Sequence, residues 1–162
     1  MNIDNFIKHL DIKYNKYELR KEFRKLEFKS VFTSDNIKDS FLRAEPGENI
    51  DQYPIIKTLS DKLQCTNVFG FTLAPNAYIH MHTDPPGKPS CAVNIILSDN
   101  YGPVVFQDYG EIMYECALFN NSVMHSVPSY PEERLLLMFG YFNDTYDNVK
   151  EKLVKNIKND FL

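Results

Sequence analysis

Seven short apolar or alternating runs crowd residues 66–141, at 67–73, 77–82, 91–97, 104–107, 112–119, 123–127 and 134–141. Turn-forming clusters separate them, among them Ala74-Pro75-Asn76, Asp84 with Pro85-Pro86-Gly87, and Asp108-Tyr109-Gly110. A parallel pair of strands needs a crossover of about a dozen residues or more, usually helical, and these gaps leave no room for one. The spacing therefore predicts an antiparallel sandwich or barrel. Helical stripes flank it. Ile3, Phe6, Ile7 and Leu10 recur at i, i+3, i+4 and i+7 and predict a short amphipathic helix. A second helix is expected over 17–26, and a third where Ile55, Ile56, Leu59 and Leu63 follow Pro54, a residue suited to a first helical turn. Val149, Leu153, Ile157 and Phe161 predict a closing helix with Asp144 as its N-cap.

A chain of 162 residues with no internal repeat and no proline-rich linker is expected to form one domain. Its expected parts are a mixed helical flank (1–65), a β core (66–142) and a C-terminal helix (143–162). Hydrophobic residues at 43% exclude a disordered chain, while the longest apolar runs fall far short of the roughly 20 residues that span a bilayer. The first ten residues lack the basic-then-apolar plan of a signal peptide, so the expected location is cytoplasmic, with no membrane partner. Cys65, Cys91 and Cys116 contain no CxxC pair and are expected to be buried, reduced thiols. Residues 31–144 carry six Lys/Arg against fourteen Asp/Glu, which argues against nucleic acid as a partner there. The mixed charges between Lys13 and Lys29 read as a solvated helix face rather than a nucleic-acid arm.

Three of the four histidines, His80, His82 and His125, fall in the strand-rich region. In His80-Met81-His82-Thr83-Asp84, period-2 geometry puts His80, His82 and Asp84 on one side of a strand that the following Pro85-Pro86-Gly87 bends. His125, after the Asn120-Asn121-Ser122 turn, can approach the same place from another strand. Two imidazoles and one carboxylate on one face of a metal suit Fe(II) that must keep open positions for dioxygen and an organic chelate. Taken singly, either histidine reads more plainly as a polar residue half buried between sheets. Nine residues after His125, Arg134 heads the apolar run 134–139. If 123–127 and 134–141 are hairpin neighbours, its guanidinium enters the barrel and there demands an anion such as a dicarboxylate. The alternative is an exposed turn arginine paired with Glu132 or Glu133.

Residues 72–142 resemble the iron(II)/2-oxoglutarate-dependent oxygenases, with His82-x-Asp84, His125 and Arg134 in the order and spacing of that superfamily's His-x-Asp/Glu, distal His and distal Arg. The stretch from Pro75 to Asp84, with Leu118-Phe119-Asn120-Asn121-Ser122 leading to His125, looks most like the aspartyl/asparaginyl β-hydroxylase-like branch. The nine-residue gap from His to Arg looks more like prolyl hydroxylases. The resemblance implies a mainly β fold with flanking helices around a double-stranded β-helix, a jelly-roll or cupin-like core. It implies Fe(II) held by His82, Asp84 and His125, and 2-oxoglutarate as cosubstrate with its far carboxylate on Arg134. It also implies a dioxygenase, most naturally a hydroxylase, whose partners are dioxygen and a small-molecule or peptide substrate and whose by-products are succinate and carbon dioxide. The metal triad would be the catalytic centre.

Two departures qualify the match. Where the β-hydroxylase branch has a basic residue on the strand after His-x-Asp, this chain has Asn94, which either hydrogen-bonds the cosubstrate or is a core amide satisfied by backbone. Leu136 stands two residues after Arg134, where some branches have serine, so a second carboxylate donor is needed. Tyr78, on the expected face of His80 and His82, is the candidate, with a plain core tyrosine as the alternative. Two other functions remain open: a non-catalytic β-helix binding module, and a cupin-type metalloenzyme that uses His80, His82 and His125 without 2-oxoglutarate.

Overall fold

The runs between residues 66 and 141 lie as antiparallel strands in two facing sheets in the computed structural model, which describes residues 2–32 and 39–160. In chain order the strands are β1 (Ile7–His9), β2 (Lys29–Ser30), β3 (Phe41–Ala44), β4 (Asn67–Leu73), β5 (Ile79–His82), β6 (Cys91–Ile96), β7 (Val104–Phe106), β8 (Gly110–Ile112), β9 (Cys116–Asn120), β10 (His125–Val127) and β11 (Arg134–Tyr141). The helices are α1 (Lys16–Phe23), α2 (Pro54–Leu63) and α3 (Tyr146–Asp160). The large sheet runs β1-β9-β6-β11-β4-β3-β2 and the small one β5-β10-β7-β8. From β4 to β11 the chain passes back and forth between the two, which is the winding of a jelly roll, as expected. Among the described residues no helix is long and apolar enough to cross a membrane.

Alternation along the large sheet divides its side chains between two environments. Leu135, Leu137 and Phe139 of β11, with Val93 and Ile95 of β6, pack outward against Leu19 and Phe23 of α1, Ile56 and Leu59 of α2 and Val149 and Leu153 of α3. Ile96, Ala117 and Phe119 face inward and meet Val104, Phe106 and Ile112 of the small sheet. All six residues of β6 are buried because both of its faces are covered, and Asn94 is the one polar residue among them.

Helix α2 begins without a side-chain cap at Tyr53. The buried Glu22 of α1 supplies one from a distance. Its carboxylate accepts from the Ile55 N–H at 2.9 and 3.0 Å and from the Ile56 N–H at 3.0 Å. An anion against the first turn satisfies free N–H donors and complements the helix dipole. Glu22→Ala is expected to lower stability by about 1–3 kcal/mol in urea unfolding, with Glu22→Gln losing less because it keeps one acceptor. A loss below about 0.5 kcal/mol would remove this role.

Four expectations are corrected. Residues 3–10 form a 3-10 turn (Ile3–Asn5) and the edge strand β1, not a helix, because Ile7–His9 pairs with β9 and buries Phe6 and Ile7 between the sheets. The run 112–119 splits at Met113, and its two halves, β8 and β9, lie in different sheets. The runs at 123–127 and 134–141 are not hairpin neighbours, since β10 pairs with β5 and β7 while β11 lies between β4 and β6. Helix α3 starts at Tyr146, where Thr145 Oγ1 accepts from the Asn148 N–H at 3.3 Å, so Asp144 stands one residue too early to cap it. Phe161 lies outside the described residues. All three cysteines are free thiols, with Cys91 and Cys116 buried and Cys65 half-buried.

Candidate metal centre and its cavity

His82 is the last residue of β5 and His125 the first of β10, and the two are direct cross-strand partners. Their ring centroids lie 4.5 Å apart. Two residues beyond His82, the chain is held at the strand end by the Asp84 N–H, which donates to the Asn121 carbonyl at 3.2 Å. Asn121 is itself buried and binds the far end of the turn, its side-chain amide donating to Pro89 O at 3.1 Å and its N–H to Ser90 O at 3.1 Å. The intervening reversal passes through Gly87 at φ +90°, a conformation that glycine adopts without steric cost. Asp84 Oδ1 thereby reaches 3.4 Å from His82 Nε2. One ligand atom from each of His82, Asp84 and His125 lies within 4.8 Å of the other two.

Backbone contacts fix the tautomer of both imidazoles. His82 Nδ1 lies 2.7 Å from the His80 carbonyl and His125 Nδ1 lies 2.8 Å from the Val123 carbonyl. A carbonyl only accepts, so Nδ1 carries a proton in each ring and Nε2 is the nitrogen left to ligate. Burial holds the His125 pKa below the ordinary imidazole value and the nearby His82 adds to this, against opposing contributions from the Val123 carbonyl and Asp84. The neutral form favoured there is the one that ligates. Two oriented nitrogen donors and one carboxylate fit a divalent first-row metal with positions left open.

These groups face a cavity of about 310 Å³ between the sheets. Arg134 lines it and is buried, with Nη2 donating to the Gly102 carbonyl and to Pro103 O at 3.4 Å. No carboxylate among the described residues pairs with it: Glu133 pairs with Arg24 at 2.8 Å and Glu132 accepts from Asn100. The exposed turn arginine is thus replaced by a buried cation lacking an anion. Ser98 fixes its place in the chain, donating from Oγ to Glu133 O at 2.9 Å and accepting from the Leu135 N–H at 2.7 Å. Asn94 also lines the cavity, 3% exposed, and its Oδ1 has no hydrogen-bond partner, so it is not an amide satisfied by backbone. Leu136 lines the cavity as well and offers no donor.

Tyr78 is not part of this lining. It is 57% exposed and packs edge-on against the His80 ring at 4.8 Å. The reason is a bulge. His82 pairs with His125 but Ile79 pairs with Val127, so three steps along β5 oppose two along β10. Strict alternation breaks, Ile79 and His82 both face the cavity, and Tyr78 and His80 are exposed. His80 therefore meets His82 through its carbonyl, and its ring is not part of the ligand cluster. The buried hydroxyl in the cavity belongs to Tyr114, which sequence reading missed. Burial raises its pKa, against lowering contributions from Arg134 and from a hydrogen bond with Asn94, so the phenol keeps its proton as a donor. Its one sequence signal is spacing, since Ile112 and Tyr114 continue the inward alternation of β8 before the chain crosses to β9.

No protein-family model and no curated protein matches the sequence. Solved structures do share the architecture. A prolyl hydroxylase from Trichoplax adhaerens, in complex with a hypoxia-inducible factor peptide fragment, superposes with a TM-score of 0.66 at 13% identity, covering 90% of this chain and 85% of that one. HygX from Streptomyces hygroscopicus, with nickel and 2-oxoglutarate bound, gives 0.57 at 12% identity over 89% and 86%. A Pseudomonas putida prolyl-4-hydroxylase gives 0.56 at 14% identity over 87% and 95%. The chain shares the fold of these proteins. At such identities the fold is what is shared, and the chemistry has to be argued from this chain's own residues.

Proposed function

We propose that the chain is an Fe(II)- and 2-oxoglutarate-dependent dioxygenase that hydroxylates its substrate. The observation that carries this reading is one cavity holding both a His-Asp-His cluster with oriented lone pairs and a buried arginine without an acidic partner. His82, Asp84 and His125 would hold the metal. Arg134 would hold the far carboxylate of 2-oxoglutarate, because a buried guanidinium is costly until an anion meets it. Tyr114 would supply the second donor expected of Tyr78. Asn94, whose amide nitrogen donates to the phenol oxygen, would orient that hydroxyl so that its one proton is left for the carboxylate.

With metal and cosubstrate bound, the site would supply an oxidation in which one oxygen atom of dioxygen enters succinate, formed with loss of carbon dioxide, and the other enters a C–H bond as hydroxyl. The chain's own part is to orient and enclose. The His80 and Val123 carbonyls aim the imidazoles, Asn121 fixes Asp84, and Phe106 and Phe119 pack against the His125 ring at 6.2 and 5.0 Å, keeping water from its inner side. Of the two branches, the prolyl-hydroxylase-like one has the better support, from the nine-residue gap between His125 and Arg134 and from the folds of the prolyl hydroxylases above. The cupin-type alternative would need the His80 ring, which is not part of the ligand cluster.

Anaerobic titration with Fe(II) and then 2-oxoglutarate is expected to produce a weak visible metal-to-ligand charge-transfer band, and admission of air to release succinate. A protein that binds Fe(II) yet develops no band with 2-oxoglutarate would overturn the proposal.

A further inference from the structure

Charge is distributed against the trend of the chain around this cavity. Among the described residues of 31–144, three of the Lys/Arg line it, Arg43, Lys88 and Arg134, whereas of the Asp/Glu only Asp84 does. Asp84 belongs to the metal cluster and Arg134 to the cosubstrate. Arg43 and Lys88 are left over, both exposed and neither with an ion-pair partner among the described residues. A concave site between low-dielectric walls focuses such a field on whatever enters it.

The wall beside these cations is aromatic. Phe41, Arg43, Phe69, Phe71 and Leu73 share the inward face of β3 and β4, where register sets Phe41 beside Leu73 and Arg43 beside Phe71. The Phe41 and Phe71 rings stack at 5.5 Å and 18°, and Phe69 continues the row from Phe71 at 6.2 Å and 25°. Phe41 and Phe71 are only half-buried although their strands each pair with a neighbour on both sides, so their remaining area is turned to the cavity rather than to protein. The inward residues of β11 on this floor, Leu136 and Met138, are likewise half-buried, whereas the outward Leu135, Leu137 and Phe139 are buried under the helices.

We infer that the substrate is a flat apolar group, an aromatic ring above all, carrying an anionic substituent. Its ring lies against Phe41, Phe69 and Phe71, and its carboxylate or phosphate meets Arg43 and Lys88. The inference rests on the oxygenase reading for the direction in which the substrate faces the metal. The ring row and the two unpaired cations stand apart from it. Stacking and apolar burial supply affinity, and the cations select charge. A volume of about 310 Å³, shared with the cosubstrate, admits one ring-sized group. A free aromatic acid and a phenyl side chain in an acidic peptide present the same chemistry.

Calorimetry on the protein saturated with Fe(II) and 2-oxoglutarate under nitrogen tests this with 3-phenylpropanoate, 3-phenylpropanamide, phenethylammonium and the peptide acetyl-Asp-Phe-Asp-amide. One of the two anionic probes is expected to bind at least about tenfold tighter than the neutral and cationic ones, with affinity falling as salt is added. If 3-phenylpropanoate is the tight one, the substrate is a free acid; if only the peptide is, it is a protein segment. Arg43→Gln and Lys88→Gln should each weaken the anionic probe about tenfold and the amide less than twofold. Equal affinity for all probes, or an anionic preference untouched by both substitutions, overturns the inference. Absence of the charge-transfer band would instead strike the oxygenase reading, while the ranking of probes and the two variants would still judge this one.

Discussion

His82→Ala is expected to eliminate the charge-transfer band and bring succinate release to background. Loss of a group that merely orients a ligand costs about 10- to 100-fold in metal affinity, and loss of a ligand from a set of three should exceed that. The side chain is 36% exposed and lies at a strand end, so the variant is expected to fold. His80→Ala is the informative companion. The carbonyl that orients His82 belongs to the backbone and survives the substitution, so the loss there should stay below about threefold. A loss at His80 as large as at His82 would favour a three-imidazole site. Fe(II) affinity, measured by competition with a chelator, reads both variants without relying on turnover.

Arg134→Gln should spare Fe(II) binding and strike the cosubstrate. Truncating one member of a buried, hydrogen-bonded charge pair costs about 2–5 kcal/mol, so the KM for 2-oxoglutarate is expected to rise by about 30-fold to several thousand-fold. Stability should move the other way. In the protein without cosubstrate the guanidinium has carbonyls but no anion, and Arg134→Met is expected to match or exceed the parent in urea unfolding. A less stable Arg134→Met, with an unchanged KM in Arg134→Gln, would make Arg134 a structural residue.

The His82 and Asp84 part of the candidate cluster was legible because its information is local. His82 and Asp84 are two apart at the end of a strand, and the Pro-Pro-Gly turn that bends the chain is written next to them. Arg134 could be singled out for the chemistry of a lone arginine heading an apolar strand, but the expected route to the cavity was wrong. It arrives from the large sheet, two strands away from β4's other neighbour β3 and opposite the sheet of His125, and no periodicity reveals which sheet a strand joins. Tyr78 was misplaced for a different reason. Alternation presumes an unbroken ladder, and the extra residue in β5 depends on its partner β10, so the bulge is invisible in either strand alone. The same holds at the N-terminus, where Ile3, Phe6, Ile7 and Leu10 satisfy a helical stripe but pairing of residues 7–9 with β9 overrides it. The helices α1 and α2 were readable because each buries a single stripe against the outer face of the large sheet.

Because His82 and His125 face each other across one rung of a ladder, the spacing of the two imidazoles is an integer property of the chain. A change of register moves it by a whole residue, about 3.3 Å, and turns the side chain to the opposite side. Metal–ligand bonds tolerate about 0.2 Å. On the proposed reading, fitting an ion of another radius would therefore be left to side-chain torsions and to Asp84, the one member of the cluster that stands outside the ladder, just past the end of β5.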